Sequence, residues 1–343
     1  MPTFAQRLID WQRHYGRHDL PWQGTDDPYR VWLSEIMLQQ TQVITVTPYY
    51  ARFLARFPTL ADLAAAPVEE TMALWSGLGY YARARNLHKC AQEIVAKYAG
   101  HFPQTPAEIA RLPGIGPSTA HAIAVFCFGA RAAILDGNVK RLLCRCFGIA
   151  GTGAKVDNQL WQLAESLLPR KRVATYIQAQ MDIGATICTR TKPSCTACPV
   201  ATLCVAYKED RISELPTPKP RRAIPQQALV LLVVRNGECV LLEQRQPTGI
   251  WGGLLSLPEL PEGEDAALYC LQQLKLRISA VSPASTFQHS FTHFRLSIRP
   301  LICIAKEGAE LQAGYRWLST ADWAGAALPN PIRKILAGLS VSP

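Results

Sequence analysis

The chain has 343 residues, room for two or three domains with cores of their own, and its 48% hydrophobic and 18% charged residues are those of an ordinary globular protein. No run approaches the roughly 20 apolar residues of a spanning helix and residues 1–10 carry no secretory pattern, so no membrane association is expected. The net charge of +10 is lopsided: residues 1–226 hold 26 Lys and Arg against 17 Asp and Glu, whereas residues 227–343 hold 10 against 9, which points a polyanion at the first part only.

In chain order, residues 4–17 read as an amphipathic helix with Phe4, Leu8, Trp11 and Tyr15 on one face, interrupted by Leu20-Pro21-Trp22. Residues 29–42, Tyr-Arg-Val-Trp-Leu-Ser-Glu-Ile-Met-Leu-Gln-Gln-Thr-Gln, form a helix apolar on nearly all sides except at Glu35 and the terminal amides. Burial raises the pKa of a carboxyl and makes Glu35 a candidate proton donor near neutrality; the plainer alternative is a first-turn Glu or a buried ion pair. Helices continue over 61–66, 69–75 and 82–98, and Gly77-Leu78-Gly79-Tyr80-Tyr81 breaks between the last two. Glycines permit close backbone approach there, so Tyr80 is either a wedge for a base stack or a packed turn aromatic.

Leu112-Pro113-Gly114-Ile115-Gly116-Pro117-Ser118 reads as a hairpin between helices. Its two glycines free the N–H groups that open the next helix for a phosphate, although a plain turn would look the same. Asp136, in Ile134-Leu135-Asp136-Gly137-Asn138-Val139, would ordinarily be the N-cap of a helix over 139–147. Cys188, Cys195, Cys198 and Cys204 then fall within seventeen residues, too close for a disulfide framework and suited to one soft metal centre. Zinc ribbons pair two short Cys knuckles across a long gap, and only Cys195 and Cys198 form such a pair; a 4Fe-4S cluster accepts uneven spacing, because each iron takes one Cys from its own direction. Arg190 and Lys192 lie between the first two of these cysteines, and the other seven of the eleven cysteines read as free core thiols in a reducing compartment.

Between Tyr207 and Gln227 the composition turns to charge and proline, as in a semi-rigid basic linker. Beyond it, 228–234 and 238–244 read as strands joined through Arg235-Asn236-Gly237, and 265–274 as the clearest helix of a mixed strand and helix tail.

The cysteine loop, following Asp182-Ile183-Gly184-Ala185, resembles that of the endonuclease III superfamily of DNA glycosylases, and the hairpin followed twenty residues after Gly116 by Asp136 resembles that superfamily's second signature. Trp32-Leu33-Ser34-Glu35, Met37-Leu38-Gln39-Gln40-Thr41-Gln42 and Leu78-Gly79-Tyr80-Tyr81-Ala82-Arg83-Ala84-Arg85-Asn86 resemble, more narrowly, adenine DNA glycosylases of the MutY type. In the tail, Trp251-Gly252-Gly253-Leu254, Leu257-Pro258-Glu259 and Gln288-His289-Ser290-Phe291-Thr292-His293-Phe294 resemble the Nudix-like domain of those enzymes.

The resemblance implies a multi-domain chain: a mainly α helix-hairpin-helix glycosylase core with a 4Fe-4S module, then an α+β Nudix-like domain. Residues 1–226 would be the catalytic region, with 22–131 as its helix-hairpin-helix module, 1–21 and 132–206 as the cluster module and 207–226 as the linker; 227–343 would recognise 8-oxoguanine. It implies a monomeric, intracellular base excision repair enzyme on double-stranded DNA, acting on adenine opposite 8-oxoguanine or guanine. Glu35 would be the general acid and Asp136 the second carboxylate, ionised at its helix N-terminus to steady a cationic sugar. Trp22, Gln39 and Tyr80 would line or fill the flipped-base region, and Gly114, Gly116, Ser118, Asn138, Lys140, Arg190 and Lys192 would meet the DNA. Phe291, Thr292 and His293 would meet the damaged base, with Thr292 standing where the family usually has Ser. Ser118 stands where bifunctional relatives carry the Schiff-base Lys, implying a glycosylase without strand cleavage. Glu264 and Asp265 are the only acids over 263–277, too few for the magnesium helix of a working Nudix hydrolase. Two alternatives stay open on sequence: a bifunctional endonuclease III-like glycosylase and lyase, and a non-catalytic iron-sulfur protein that binds DNA as a redox sensor.

Overall fold

The computed structural model describes residues 2–218, 223–291, 293–306, 311–323 and 325–339. They divide into two compact units, one of residues 1–65 with 86–221 and one of 66–85 with 222–343. The sequence reading put 66–85 inside the helical module, whereas the contacts group it with the C-terminal residues. No helix among the described residues is long and apolar enough to cross a membrane.

The first unit is helical. Helix α1 (Phe4–Tyr15) starts at Thr3, whose hydroxyl accepts from the Gln6 N–H, and stops at Gly16, two residues short of the expected end. Its buried face, Phe4, Ala5, Leu8 and Ile9, joins a core with α9 (Gly137–Phe147) and α11 (Val173–Thr186). Helix α2 (Pro28–Leu38) begins at the Asp27 cap with Pro28 in the first turn, where a missing N–H costs nothing. It ends at Leu38 rather than running to residue 42: Gln40 takes a left-handed φ of 58°, and a fresh helix, α3 (Val43–Arg56), follows. The sequence reading carried the helix through Gln39–Gln42 and so missed both the stop and α3. The short α4 (Leu60–Ala65) closes this stretch.

Helix α5 (Val68–Trp75) lies in the second unit, and α6 (Ala82–Tyr98) runs from Arg85 in that unit to Asn86 in the first. The turn α7 (Pro106–Ile109) then leads through the glycine hairpin into the largely apolar α8 (Pro117–Phe128), which buries Ala120, Ala122, Ile123, Ala124 and Val125. Helix α10 (Ala154–Ser166) and the turn α12 (Val205–Lys208) complete the unit. The expected linker is anchored at its start: Leu215 is buried in the helical core and accepts from Arg145 Nε at 2.8 Å, while Thr217 accepts from the Gly151 N–H at 2.6 Å. Its basic residues Lys219, Arg221 and Arg222 lie outside the described residues.

In the second unit, eight strands among the described residues form one mixed sheet: β1 (Gln226–Asn236), β2 (Cys239–Gln244), β3 (Leu255–Ser256), β4 (Glu259–Leu260), β5 (Ile278–Pro283), β6 (Phe287–Ser290), β7 (Arg295–Ala305) and β8 (Tyr315–Ser319). The order is β3-β2-β1-β7-β5, with β4 on β1, β6 on β7 and β8 on β2. The long β1 and β7 run parallel from Gln226 opposite Arg295 to Arg235 opposite Ile304, and the other pairs are antiparallel. The β1–β2 hairpin turns on Gly237 at φ 56°, as its Asn-Gly sequence predicts. Helix α13 (Ala266–Gln273), capped by Asp265, packs Ala266, Cys270 and Leu274 on Leu232, Val234, Leu241 and Cys303, and α14 (Asn330–Leu339) ends the described chain.

Candidate active site and nucleic-acid interface

The first unit contains an open cavity of about 920 Å³ whose lining includes Trp22, Glu35, Asp136 and Asn138. Four residues singled out in three separate stretches of sequence thus line one cavity. Helix α2, most of whose residues are buried, carries Glu35 into the lining of the cavity. Burial pushes Glu35 up to about 8, and the nearby Asp136 charge adds to the rise. Trp22 is buried edge-on against Tyr50, with ring centroids 5.4 Å apart, and forms a rigid side of the cavity.

Asp136 is the N-cap of α9, and its Oδ1 accepts from the N–H of Val139 at 2.7 Å and of Asn138 at 3.0 Å. Burial raises its pKa, while those two hydrogen bonds and Arg141 pull it down. The expectation from sequence counted only the helix end; the net direction is upward because the site is also dry. The two carboxyls still differ, since among the described residues no cation or backbone donor opposes the rise at Glu35.

Two groups act here by positioning, Ser118 in a role other than the DNA contact expected of it and Arg141, which the sequence reading did not single out. Ser118 Oγ accepts from the Leu135 N–H at 3.1 Å and so fixes the backbone one residue before Asp136. Arg141 Nη2 donates to Asn138 Oδ1 at 2.9 Å and to Gly184 O at 2.7 Å, and its Nε donates to Cys188 O at 2.7 Å. A Cβ on Gly184 would come within 2.5 Å of Asn138 Cβ, so the glycine permits this approach of α11 to α9. Asn138, Arg141 and Arg145 recur at i, i+3 and i+7, a stripe on one helix face that would have flagged them.

The remaining expected DNA contacts are dispersed. Gly114 holds φ 76° with Asn86 Cβ 2.6 Å from where its own Cβ would lie, and Gly116 ends the hairpin with open space around it. Helix α8 has no side-chain cap, which leaves its first N–H groups for an external acceptor. Gln39 caps α2 and its amide reaches Thr119 Oγ1 at 3.4 Å. Lys140 Nζ is ion-paired with Asp157 of α10, and Arg190 and Lys192 are exposed.

The four cysteines of the short run line a second, much smaller cavity of about 20 Å³. Arg145, 3% exposed, holds the loop around it by donating to Thr189 O at 2.7 Å, Arg190 O at 3.0 Å and Leu215 O at 2.8 Å, with Cys188 Sγ at 3.5 Å. Among the described residues no three metal-ligating side chains gather tightly enough to hold one ion. Four thiols lining one cavity are the donor set that a 4Fe-4S cluster takes. Cys146, expected to be an ordinary core thiol, also lines this cavity, and its hydrogen bond helps lower Cys204 to about 6.

In the second unit, Phe291 stacks on Phe294 at 4.5 Å and meets His289 edge-on at 4.7 Å, and the Phe291 N–H closes the β6–β7 turn on Phe294 O. His293 is exposed at its tip, and Thr292 lies outside the described residues. Tyr80 is 45% exposed, with a left-handed φ of 50°.

Residues 33–166 match the HhH-GPD superfamily of base excision DNA repair proteins, and residues 229–338 match the NUDIX domain. An adenine DNA glycosylase of Buchnera aphidicola subsp. Baizongia pistaciae is 38% identical over 97% of this chain and 96% of its own length. The chain belongs to the adenine DNA glycosylase family. The relative from Rattus norvegicus is 34% identical over 97% of this chain and 77% of its own. A thermostable thymine-DNA glycosylase superposes with a TM-score of 0.54 at 30% identity, covering 60% of this chain and 95% of its own. An endonuclease III bound non-covalently to DNA does so at 0.52 and 22%, which speaks to the fold alone. For this adenine DNA glycosylase family member, both the helix-hairpin-helix core and the Nudix-like tail are therefore established.

Proposed function

We propose that this chain hydrolyses the N-glycosidic bond of adenine mispaired with 8-oxoguanine or guanine in double-stranded DNA, and so starts base excision repair as a monomer in a reducing intracellular compartment. The observation that carries the reading is the shared cavity of Glu35 and Asp136, one carboxyl raised to about 8 by burial and the neighbouring Asp136, the other bonded by two N–H groups and countered by Arg141. Adenine inside a duplex is out of reach, so the nucleotide turns out into the cavity, where Trp22 and Asn138 bound it. Protonated Glu35 gives its proton to a ring nitrogen of adenine as the bond to the sugar breaks, so the purine leaves neutral with the bonding electron pair. Ionised Asp136 steadies the cationic sugar until water adds.

Gly114, Gly116, Arg190 and Lys192 contact phosphates, Gln39 and Tyr80 fill the gap left in the stack, and Phe291, Thr292 and His293 read 8-oxoguanine. The Thr292 hydroxyl retains the hydrogen bond that the family's Ser would make, and its methyl adds bulk. Cys188, Cys195, Cys198 and Cys204 hold a 4Fe-4S cluster, which braces the loop bearing Arg190 and Lys192. With Ser118 in place of a Schiff-base Lys, and Lys140 paired to Asp157, the product is an abasic site in an unbroken strand.

The test is one assay on two duplexes, adenine opposite 8-oxoguanine and thymine glycol opposite adenine, each with and without later alkali. Breaks on the first that need alkali are expected. Breaks on the second without alkali would support an endonuclease III-like lyase instead, and base release from neither would support a redox sensor.

A further inference from the structure

The proposed wedge, Tyr80, belongs to the same compact unit as the Nudix-like sheet, and specific hydrogen bonds tie it there. Ser76 Oγ, at the end of α5, donates to Leu328 O and accepts from Arg333 Nε at 3.2 Å. Arg85, two residues past Arg83, donates from Nη1 to Gly252 O. At the next residue, Gly253, φ is 76° and a Cβ would lie 3.5 Å from Arg85 Cδ and 3.8 Å from Met72 Cε, so the Trp251-Gly252-Gly253 turn closes on the segment.

The loop between the two ties is internally fixed. Arg83 places its guanidinium over the Trp75 ring at 5.2 Å and the Tyr80 ring at 5.6 Å, and donates from Nη2 to Gly79 O at 3.2 Å. Trp75 Nε1 donates to the same carbonyl at 3.2 Å, and the Gly77 N–H donates to Tyr81 Oη at 3.3 Å. Tyr80 therefore holds an unfavourable left-handed backbone while half exposed, which a loose loop would relax.

We propose that Arg83 sets Tyr80 as a wedge and that Ser76 and Arg85 fasten that wedge to the Nudix-like domain, so that Tyr80 is part of the device that reads the base opposite adenine. This rests on the reading of Tyr80 as a DNA wedge. Ser76, Arg83 and Arg85 are positioning residues in this scheme, and their effect passes through Tyr80.

The experiment measures single-turnover adenine excision by the full chain opposite 8-oxoguanine and opposite guanine, and compares the ratio of the two rates. Four variants are needed: Tyr80→Leu, Ser76→Ala, the pair Ser76→Ala with Arg85→Met, and that pair combined with Tyr80→Leu. The pair is expected to lower the ratio about threefold or more, the worth of one ordinary hydrogen bond. It should lower it no further once Tyr80 is already Leu, because residues acting in series are non-additive. Ser76→Ala removes one hydroxyl and is read alone if the pair melts early. A Tyr80→Leu effect with an unchanged ratio in Ser76→Ala and the pair overturns the fastening and leaves the wedge; losses that multiply in the combined variant also overturn it. No effect of Tyr80→Leu itself overturns both.

Discussion

The two cavities of the helical unit share α9 as a wall and are built on opposite principles. On the buried helix α2 the Glu35 carboxyl meets no countercharge among the described residues, so burial expresses itself as a raised pKa. Around the four cysteines the buried cation Arg145 meets three carbonyls and a sulfur, so burial expresses itself as a fixed loop. One site keeps electrostatic tension available for proton transfer, the other discharges it into architecture. Arg141 spans the two, with one hand on Asn138 beside Asp136 and the other on Cys188 O.

The comparison breaks most visibly at Glu35. Glu35→Gln should cut excision by about 10³-fold, within the range of general acid catalysis, while a gel shift finds mispair binding retained. Comparable loss of binding would make Glu35 a structural residue. At Arg145 the opposite pattern is expected. Arg145→Leu strands two loop carbonyls and the Leu215 carbonyl at roughly 1–3 kcal/mol each, so purified protein should lose its absorbance near 400 nm and melt several degrees lower, with excision and binding falling together. Full iron content in that variant would show that the loop stands without it.

A third test concerns stability against pH. A carboxyl at about 8 when folded and 4.5 otherwise contributes its full stability below 4.5 and loses it as pH climbs to about 8. Glu35→Gln stays neutral, so it should melt above the wild type at pH 8.5 and converge with it near pH 4.5; parallel curves would mean Glu35 ionises without penalty. The smallest effect belongs to the exposed pair. Arg190→Ala and Lys192→Ala should each weaken DNA binding modestly and lower the salt slope by about one, whatever the sequence of the duplex.

Much of this was legible in the sequence, because the chemistry sits in short local patterns. Glu35 inside an apolar helix, Asp136 before Gly-Asn and four cysteines in seventeen residues needed no fold to be seen. The β1–β2 hairpin followed from Asn236-Gly237 in the same way, and α13 from the helical reading of 265–274. What sequence could not show depends on which distant segments meet. Ser118 reaches Leu135 across the hairpin, and Arg141 reaches Gly184 and Cys188 across two helices. The end of α2 was missed for a local reason: Gln40 turns left-handed within a run of residues that all suit a helix. Cys146 was assigned to the core by its composition alone, and only the fold brings it beside Cys204.

The central claim is that a proton held by Glu35 drives base release, and the pH dependence of single-turnover adenine excision tests it most directly. The rate should be level below about pH 8 until Asp136 becomes protonated, and should fall tenfold per unit above it. A rate that stays constant from pH 7 to pH 10 would contradict it.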